Sequence, residues 1–343
     1  MMLEVIKHGV LLGKTNLSFE NEGVLNPAAI MNNGLIHLFY RAVSIGNHSS
    51  IGYCQLHDPL KIFFRSDKAV LFPQFEYESQ GIEDPRIVKI DDIFYLSYTA
   101  FDGINALGAL ATSKDLVNFE KQGIIVPQIT YEKFKELTNS KVKNDENAIW
   151  YDEHQRALGD TKELLWDKNL IFFPRRINGE ICFLHRIKPN IQILVGVKDL
   201  KELTKDFWEK YFENIDDFIV LSPKYPHEKS YVGGGCPPIE TAEGWIMIYH
   251  GVQTSDKGFV YSACAALLDL ENPKKEIARL PYPLFKPERE WELKGEVNNV
   301  CFPTGTAVID DNLYIYYGAA DERIACASVS ISKLIAEILS NKE

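Results

Sequence analysis

One pattern occurs five times along this chain, and it constrains the fold more than any other feature. Each copy has a proline-containing start, a short strand, a polar turn and then an aromatic-rich strand. The copies lie roughly 60 to 90 residues apart, which suits sheet units with long loops. Such units bury their faces by stacking in a ring. The repeats therefore predict an all-β fold, a five-bladed β-propeller, with copies starting at Asn26-Pro27, Asp84-Pro85, Phe173-Pro174-Arg175-Arg176, Cys236-Pro237 and Phe302-Pro303.

Three stretches break the strand pattern and predict helices. Residues 131–168 are rich in Lys, Glu, Asp and Asn, which indicates a helix and loop inserted between the second and third copies. Residues 199–218 have apolar side chains near helical spacing, typical of a short amphipathic helix. A C-terminal helix is predicted over residues 332–339, with a serine cap. No linker rich in Pro, Gly or Ser divides the chain, so we expect residues 1–343 to form a single domain.

Charge and cysteine content exclude several classes of function. The formal net charge is −11, so we expect no binding to nucleic acid or to anionic membranes. The six cysteines are scattered, with no CxxC pair and no HExxH motif, which indicates reduced buried thiols and no metal site. The N-terminal residues are too charged for a signal peptide, and no run reaches the roughly 20 apolar residues that cross a bilayer. We therefore expect a cytoplasmic protein without a cofactor.

The repeats place polar and charged residues at strand ends around the predicted axis. A ring of Asp, Arg, His and Asn there indicates a site, because a structural core would have Val or Leu. Taken singly, each has a structural explanation: Asp precedes proline in turns, arginines form surface ion pairs, and histidines pack in cores. Strand alternation predicts that Glu83 points away from Asp84, and that only one of Arg175 and Arg176 faces the axis. The candidates are Asn26, Arg41, Asp84, Arg175, Arg176, His185, Arg186, His250 and Asp321.

Four motifs within these repeats resemble glycoside hydrolase family 130. The resemblance runs from about Asn26 to about Ser330, with the motifs in the family's order. It implies a five-bladed β-propeller that acts on β-mannosides. Most characterised members are inverting phosphorylases, in which phosphate attacks the anomeric carbon and α-mannose 1-phosphate is released. The motifs are Gly81-Ile82-Glu83-Asp84-Pro85-Arg86, Gly233-Gly234-Gly235-Cys236-Pro237-Pro238-Ile239, Gly244-Trp245-Ile246-Met247-Ile248-Tyr249-His250-Gly251 and Tyr317-Gly318-Ala319-Ala320-Asp321.

The resemblance also implies a role for the candidates. Asp84 would be the acid, protonating the leaving oxygen through the 3-hydroxyl of mannose. Phosphate arrives already nucleophilic, so the reaction requires no general base, only cationic donors that hold it in line. The mannose subsite would contain Asn26, Arg41 and Asp321. Phosphate would be bound by Arg176, Arg186 and His250. The expected partners are thus a small oligosaccharide and inorganic phosphate.

One position departs from the family's pattern. Phosphate-using members commonly carry a lysine just before the Ile-Gly that opens the glycine-proline motif, and Tyr231 stands there in this chain, two positions after Lys229. Losing one cation would weaken phosphate binding by roughly 1.5–3 kcal/mol. An inverting β-mannosidase that uses water is therefore an alternative, with Glu228 or Glu240 as its base. Either glutamate also fits an exposed loop carboxylate.

A sugar-binding propeller without turnover is the third hypothesis. Tyr40, Tyr98 and Tyr249 lie near the predicted axis and could stack on a sugar ring. The intact Glu-Asp-Pro-Arg motif disfavours this hypothesis. The sequence leaves open whether the linkage is β-1,2 or β-1,4, which sugar leaves, and whether the protein is a homo-oligomer. Loops 42–50, 72–80 and 131–168 are expected to decide the linkage.

Overall fold

The protein has an all-β architecture, as the repeats predict. The computed structural model describes residues 3–138, 163–256 and 258–342. Within these residues, 21 strands form antiparallel sheets, and the helices are confined to connections and to the end of the chain. None of the helices in this part of the chain has the length and apolarity needed to span a bilayer.

The strands form four sheets, and the largest divides at a single parallel pair, Ser49 with Gly81, so that five antiparallel units can be distinguished. The first contains β2 (Gly23–Asn32), β3 (Leu35–Ser44), β4 (His48–Asp58) and β5 (Lys61–Arg65). The second contains β6 (Gly81–Ile90), β7 (Ile93–Phe101), β8 (Ala106–Ser113) and β9 (Phe119–Ile124). The third contains β10 (Lys168–Phe172), β11 (Ile181–Arg186), β12 (Ile191–Val197) and β13 (Ile219–Leu221). The fourth contains β14 (Tyr231–Gly234), β15 (Ile239–Thr241), β16 (Gly244–Ser255), β17 (Gly258–Leu268) and β18 (Glu276–Arg279). The fifth contains β19 (Cys301–Ile309), β20 (Asn312–Ala319), β21 (Arg323–Ser330) and β1 (Ile6–Leu12).

Neighbouring units share their hydrophobic cores. Five apolar clusters are present among the described residues, and each takes side chains from two units. The cluster between the fifth and first units, for example, joins Tyr316 and Cys326 to Leu38 and Cys54. A sheet of this kind buries both faces, which explains why the central strands are almost continuously apolar. The core is therefore divided into layers between sheets.

The two ends of the strand order meet in the fifth unit. β1 pairs antiparallel with β21 and so completes that sheet. The fifth unit also contacts the first, where the Thr304 hydroxyl donates to the Pro27 carbonyl over 2.9 Å. A Cβ added at Gly305 would lie 2.5 Å from the same carbonyl oxygen, so a side chain there would prevent this approach. Glycine at this position lets the two backbones come together.

A buried polar set supports the aromatic strand of every unit. In four units a tyrosine hydroxyl donates to a buried glutamate, which also pairs with a lysine or arginine from elsewhere in the chain. In the third unit His185 takes the place of the tyrosine, with Asp167 Oδ2 at 2.8 Å and the Tyr211 hydroxyl at 2.7 Å. Buried charges are tolerated only when paired in this way. The glutamate sets are Glu20–Tyr40–Arg65, Glu78–Tyr98–Lys121, Glu228–Tyr249–Arg279 and Glu292–Tyr317–Lys7.

These sets correct one prediction about aromatic residues. Tyr40, Tyr98 and Tyr249 are at most 2% exposed, so their rings cannot stack on a sugar. His185 is likewise fully buried and supports the sheet. These three tyrosines therefore cannot form the aromatic surface that a sugar-binding module would need.

The helices agree largely with the sequence-based expectations. α1 (Tyr131–Leu137) opens the predicted insertion behind the cap Thr130, while residues 139–162 lie outside the described residues. α2 (Lys205–Glu213) is the predicted amphipathic helix, with Trp208, Tyr211 and Phe212 on its buried face. A single turn, α3 (Glu290–Leu293), precedes the fifth unit. The C-terminal helix α4 (Ile331–Ser340) is confirmed and is capped by Ser330, whose side chain accepts from Lys333 N.

Candidate active site

The first strand of each of the first three units carries a polar residue in the left-handed backbone conformation. Asn26 in β2, Asp84 in β6 and Asn169 in β10 have φ angles of 49°, 49° and 53°. The strand ladder shifts register at each of these places. Asn and Asp enter this conformation at a lower cost than other residues with a side chain. Irregularities of this kind re-aim side chains beside functional sites.

The left-handed residue brings two neighbouring carboxylates to one arginine. The Arg41 guanidinium lies 2.7 Å from Glu83 Oε1 and 3.8 Å from Asp84 Oδ1. The Nε of Arg41 donates to Ser49 Oγ over 2.8 Å, which fixes the orientation of the guanidinium. The prediction that Glu83 points away from Asp84 is wrong, because strand alternation holds only for regular extended backbone. Glu83 is thus a site residue that the sequence reasoning set aside.

Asp84, whose side chain is 13% exposed, lies in a hydrogen-bonded and charged environment. The Asn26 side-chain amide donates to Asp84 Oδ1 over 2.6 Å. Burial alone would raise the pKa of Asp84, but Arg41, Arg86 and Lys168 together with this hydrogen bond hold it below its ordinary value. In the protein without ligands, Asp84 is therefore held in its carboxylate form.

Asp321 has the opposite shift in the same pocket. It follows β20, and burial together with the charge of Asp84 raises its pKa to about 6, against the opposing effect of Arg41. The structure therefore brings Asn26, Arg41 and Asp321 around Asp84. Two carboxyl groups whose pKa values are pushed apart are typical of acid–base sites.

Five basic side chains lie next to this acidic pocket, and we call them the basic cluster: Arg86, Lys168, Arg186, Lys188 and His250. Burial lowers the pKa of His250 well below its ordinary value, and the charges of Arg186, Arg86 and Lys188 lower it further. Burial likewise lowers the pKa of Lys188 to about 6, with Arg186 and Lys168 acting in the same direction. Basic side chains held this close together, which lower one another's pKa, form a site for an anion.

Several polar atoms of this cluster are buried without a hydrogen-bond partner in the described part of the protein. They are Arg86 Nη2, Arg186 Nε, and both ring nitrogens of His250. Leaving buried donors unsatisfied costs about 1–3 kcal/mol each, so such atoms mark places where a ligand binds. His250 is held against the Phe302 ring at 4.4 Å. A Cβ at Gly233 would lie 2.3 Å from His250 Nε2, which explains the glycine there.

Arg176 does not lie in the basic cluster, contrary to the prediction that it contacts phosphate. Its Nε donates to Asp91 Oδ2 over 3.1 Å and its Nη1 donates to the Lys198 carbonyl over 2.9 Å. Asp91 lies in the β6–β7 turn, at the end of β6 away from Asp84. The reason is that the residue equivalent to Asp84 in the third unit is Asn169, within β10. Residues 173–177 follow β10, so Arg176 lies beyond the strand that carries the equivalent position.

The two glutamates considered as bases are engaged elsewhere. Glu240 pairs with Arg175 at 2.8 Å, and the Arg175 guanidinium lies over the Trp245 ring at 4.9 Å. Glu228 is fully buried, where it accepts hydrogen bonds from Tyr249 and from the amide of Lys224 over 2.8 Å. Glu228 therefore supports the fourth sheet, and neither carboxylate is paired with Asp84 or the basic cluster.

Tyr231 occupies the position of the expected lysine and is enclosed by cations. Its ring lies 4.0 Å from the Lys188 ammonium and 5.5 Å from the Arg186 guanidinium. Its hydroxyl is hydrogen-bonded to that of Tyr261. Lys188, Lys168 and Arg86 were not singled out from the sequence. Arg86 ends the Glu-Asp-Pro-Arg motif, and Lys168-Asn169 precedes an apolar strand as Glu83-Asp84 does, so both had a recognisable signal and Lys188 had none.

One group of metal-ligating residue types is present among the described residues. Ligand atoms of His227, Glu228 and Cys264 lie within 4.8 Å of one another, all buried. The Arg279 guanidinium is 3.3 Å from Glu228 Oε2, so a cation already neutralises this carboxylate. The group therefore fits a metal ion poorly.

Comparison with known proteins places this arrangement in a family. The profile described as β-1,4-mannooligosaccharide phosphorylase, that of glycoside hydrolase family 130, matches residues 14–340. The chain belongs to glycoside hydrolase family 130. Family 130 consists of glycoside phosphorylases and related hydrolases, so the protein is an enzyme. The resemblance inferred from the four motifs is confirmed.

Two relatives align over nearly the whole chain. A 1,2-β-oligomannan phosphorylase from Thermoanaerobacter sp. (strain X514) is 37% identical over 339 residues, covering 95% of this chain and 96% of its own. A β-1,2-mannobiose phosphorylase from the same organism is 32% identical over 333 residues, covering 92% and 93%.

Solved structures of family 130 share the fold. The β-1,2-mannobiose phosphorylase from Listeria innocua, in complex with β-1,2-mannobiose, has a TM-score of 0.75 at 22% identity and covers 98% of this chain and 99% of its own. A second structure, described with family 130 glycoside hydrolases that target β-1,2 mannosidic linkages in Candida mannan, has a TM-score of 0.72 at 22% identity, covering 96% and 94%. At these identities the likeness concerns the fold alone.

Proposed function

We propose that the protein is an inverting β-mannoside phosphorylase that transfers a terminal mannosyl group to phosphate and releases α-mannose 1-phosphate. The observation that carries the proposal is the set of buried, unpaired nitrogens of Arg186 and His250, near Arg86, whose charge also acts on Asp84. The two Thermoanaerobacter relatives are named phosphorylases of β-1,2-linked mannosides, so a β-1,2-mannoside is the first substrate to test and a β-1,4-mannoside the second.

In this mechanism the acidic pocket binds mannose and the basic cluster binds phosphate. Asn26, Arg41 and Asp321 hold the terminal sugar around Asp84. A phosphate oxygen bonds to the anomeric carbon while the glycosidic C–O bond breaks on the opposite face. The proton of Asp84 passes to the leaving oxygen through the mannose 3-hydroxyl. No general base is needed, because phosphate is already an anionic nucleophile.

The electrostatics explain how Asp84 obtains that proton. Burial favours its neutral form, and the charges of Arg41, Arg86 and Lys168 oppose this effect. Bound phosphate offsets the charge of Arg86 and Lys168, so it raises the pKa of Asp84. Phosphate binding thus prepares the acid as well as supplying the nucleophile.

The proposal extends to the architecture and the setting of the enzyme. The five units are the blades of a five-bladed propeller in a single domain, supported by the apolar cluster shared between the fifth and first units. All six cysteines are free and buried, which fits a cytoplasmic protein. Phosphate is a co-substrate, and the reaction uses no cofactor.

The test is a time course on β-1,2- and β-1,4-mannobiose, with and without inorganic phosphate, that separates mannose from mannose 1-phosphate. We expect strict dependence on phosphate and, in reverse, synthesis from α-mannose 1-phosphate. Equal cleavage without phosphate would overturn the proposal in favour of the alternative hydrolase, which the presence of Tyr231 favours. Sugar binding without any turnover would favour a binding module.

A further inference from the structure

We propose that Lys188 is a phosphate-binding residue of this enzyme, held on the ring of Tyr231 and supplying the cation that the family pattern otherwise places on β14. The inference rests on the proposed function, because it assigns a residue to the phosphate subsite. Lys188 follows β11, whereas Tyr231 begins β14 in the next unit. The cation therefore comes from a different unit.

The geometry places the Lys188 ammonium beside the other phosphate ligands. It lies 4.0 Å from the centroid of the Tyr231 ring, and the Arg186 guanidinium lies 5.5 Å from the same centroid. Attraction of a cation to an aromatic face contributes about 0.5–2 kcal/mol. Tyr231 is only 4% exposed and is hydrogen-bonded to Tyr261, so its ring is a fixed support. Tyr231 is thus a positioning residue for both cations.

The burial pattern directs Lys188 towards a ligand. Arg186, Tyr231 and His250 are buried, whereas Lys188 remains partly exposed at the edge of the same group. Arg186 Nε and both His250 nitrogens lack partners in the described part of the protein. Lys188 influences His250 electrostatically, so the three side chains converge on one place. A phosphate there would accept hydrogen bonds from all three.

The charge state of Lys188 is consistent with this role. Burial lowers its pKa to about 6, and the positive charges of Arg186 and Lys168 act in the same direction. A phosphate beside it would favour the charged ammonium and raise that pKa. Phosphate binding should therefore be accompanied by proton uptake near neutral pH.

The experiment compares Lys188→Met with Lys201→Met, an exposed lysine of the same unit. We expect Lys188→Met to raise the phosphate KM by about 10- to 100-fold, from loss of one charge-assisted hydrogen bond. The KM for the mannoside should change by less than about twofold, since that subsite is separate. Lys188→Arg should restore part of the phosphate affinity, and Lys201→Met should match the wild type.

Variants of Tyr231 and a direct measurement of phosphate binding test the same inference independently. Tyr231→Leu, which removes the aromatic face, should raise the phosphate KM, and Tyr231→Phe should raise it less. Calorimetry with inorganic phosphate alone, in two buffers of different ionisation enthalpy, should show less proton uptake by Lys188→Met than by the wild type, because only the contribution of Asp84 then remains. A phosphate-dependent wild type with an unchanged phosphate KM in Lys188→Met would overturn only this inference. A wild type that ignores phosphate would overturn the proposed function as well.

Discussion

The left-handed backbone at Asp84 decides which groups its carboxylate meets. It turns Glu83 and Asp84 towards Arg41 together, and it lets the Asn26 amide donate to Asp84. A β-branched residue at this position would strain the backbone, whereas Asn would retain the conformation. Substitution by Asn therefore separates the chemistry of Asp84 from its structural role.

We expect Asp84→Asn to lower kcat by about 10²- to 10⁴-fold, because the acid is lost while the backbone is preserved. Phosphate binding should persist. The matched control is Asp91→Asn at the other end of β6, where φ is also left-handed at 54°. Steady-state kinetics and thermal unfolding of both variants check the prediction. Equal activity of Asp84→Asn and the wild type would contradict the role of Asp84.

Asp321 should make stability depend on pH. Its pKa is raised to about 6 by burial and by Asp84, with a smaller contribution from Glu83 and Glu296 and an opposing one from Arg41. Between the unfolded value of about 3.9 and this value the native state binds more protons, so its unfolding free energy falls as pH rises.

Asp321→Asn removes this titration. The unfolding free energy of the variant minus that of the wild type should therefore increase from pH 4.5 to pH 7. Urea unfolding at the two pH values measures this change. Asp92→Asn, at a fully exposed turn residue, is the control. A difference between Asp321→Asn and the wild type that stays constant with pH would refute the assignment.

At the scale of strands, glycines in β14 allow the basic cluster to form. A Cβ at Gly233 would lie 2.3 Å from His250 Nε2, so Gly233→Ala must displace the imidazole. We expect a loss of about 1–3 kcal/mol in stability from overpacking, together with a higher phosphate KM. Gly13→Ala is the control, because no atom lies within 4 Å of a Cβ built there. An unchanged phosphate KM in Gly233→Ala would show that His250 does not contact phosphate.

The strands also show how much of the site can be predicted from the sequence. Turn residues and aromatic strands located four of the five copies. The structure brings Asn26, Arg41 and Asp321 around Asp84, with Arg186 and His250 in the basic cluster, while the roles of all six stay predictions. The third copy was aligned on Pro174, although the feature shared by the first three units is the left-handed residue, Asn169. Residue type alone does not reveal backbone conformation, so the prediction that Arg176 lies in the phosphate site is wrong. Lys188 lies in a connection between strands, and only tertiary packing brings it to Tyr231.

Across the whole protein, one buried ion pair ties the N-terminal strand β1 to α3, the single turn before β19. Lys7 Nζ lies 2.7 Å from Glu292 Oε2, and the Glu292 side chain is fully buried. Lys7→Met would leave that carboxylate buried without its cation, so we expect a loss of about 3–5 kcal/mol in unfolding free energy. Denaturant unfolding measures this loss.

Two further variants distinguish the ion pair from a general effect of the substitution. Adding Glu292→Gln to Lys7→Met should recover part of the stability, since no buried charge then remains unpaired. Lys14→Met removes an exposed pair with Glu322, at 3.8 Å, and should cost no more than about 0.5 kcal/mol. Equal losses in Lys7→Met and Lys14→Met would show that the buried pair contributes nothing to joining the strand.

The pairing of β1 with β21 also has a consequence for protein synthesis. His8 contacts Ser328, 320 residues further along the chain, across this ladder. While a ribosome is translating the units between them, β1 has no sheet to join and presents its backbone groups to solvent or to other chains. Units one to four can assemble in the order in which they emerge, but the fifth must wait for both of its distant segments. Nascent chains stalled before β21 should therefore aggregate more readily than full-length chains.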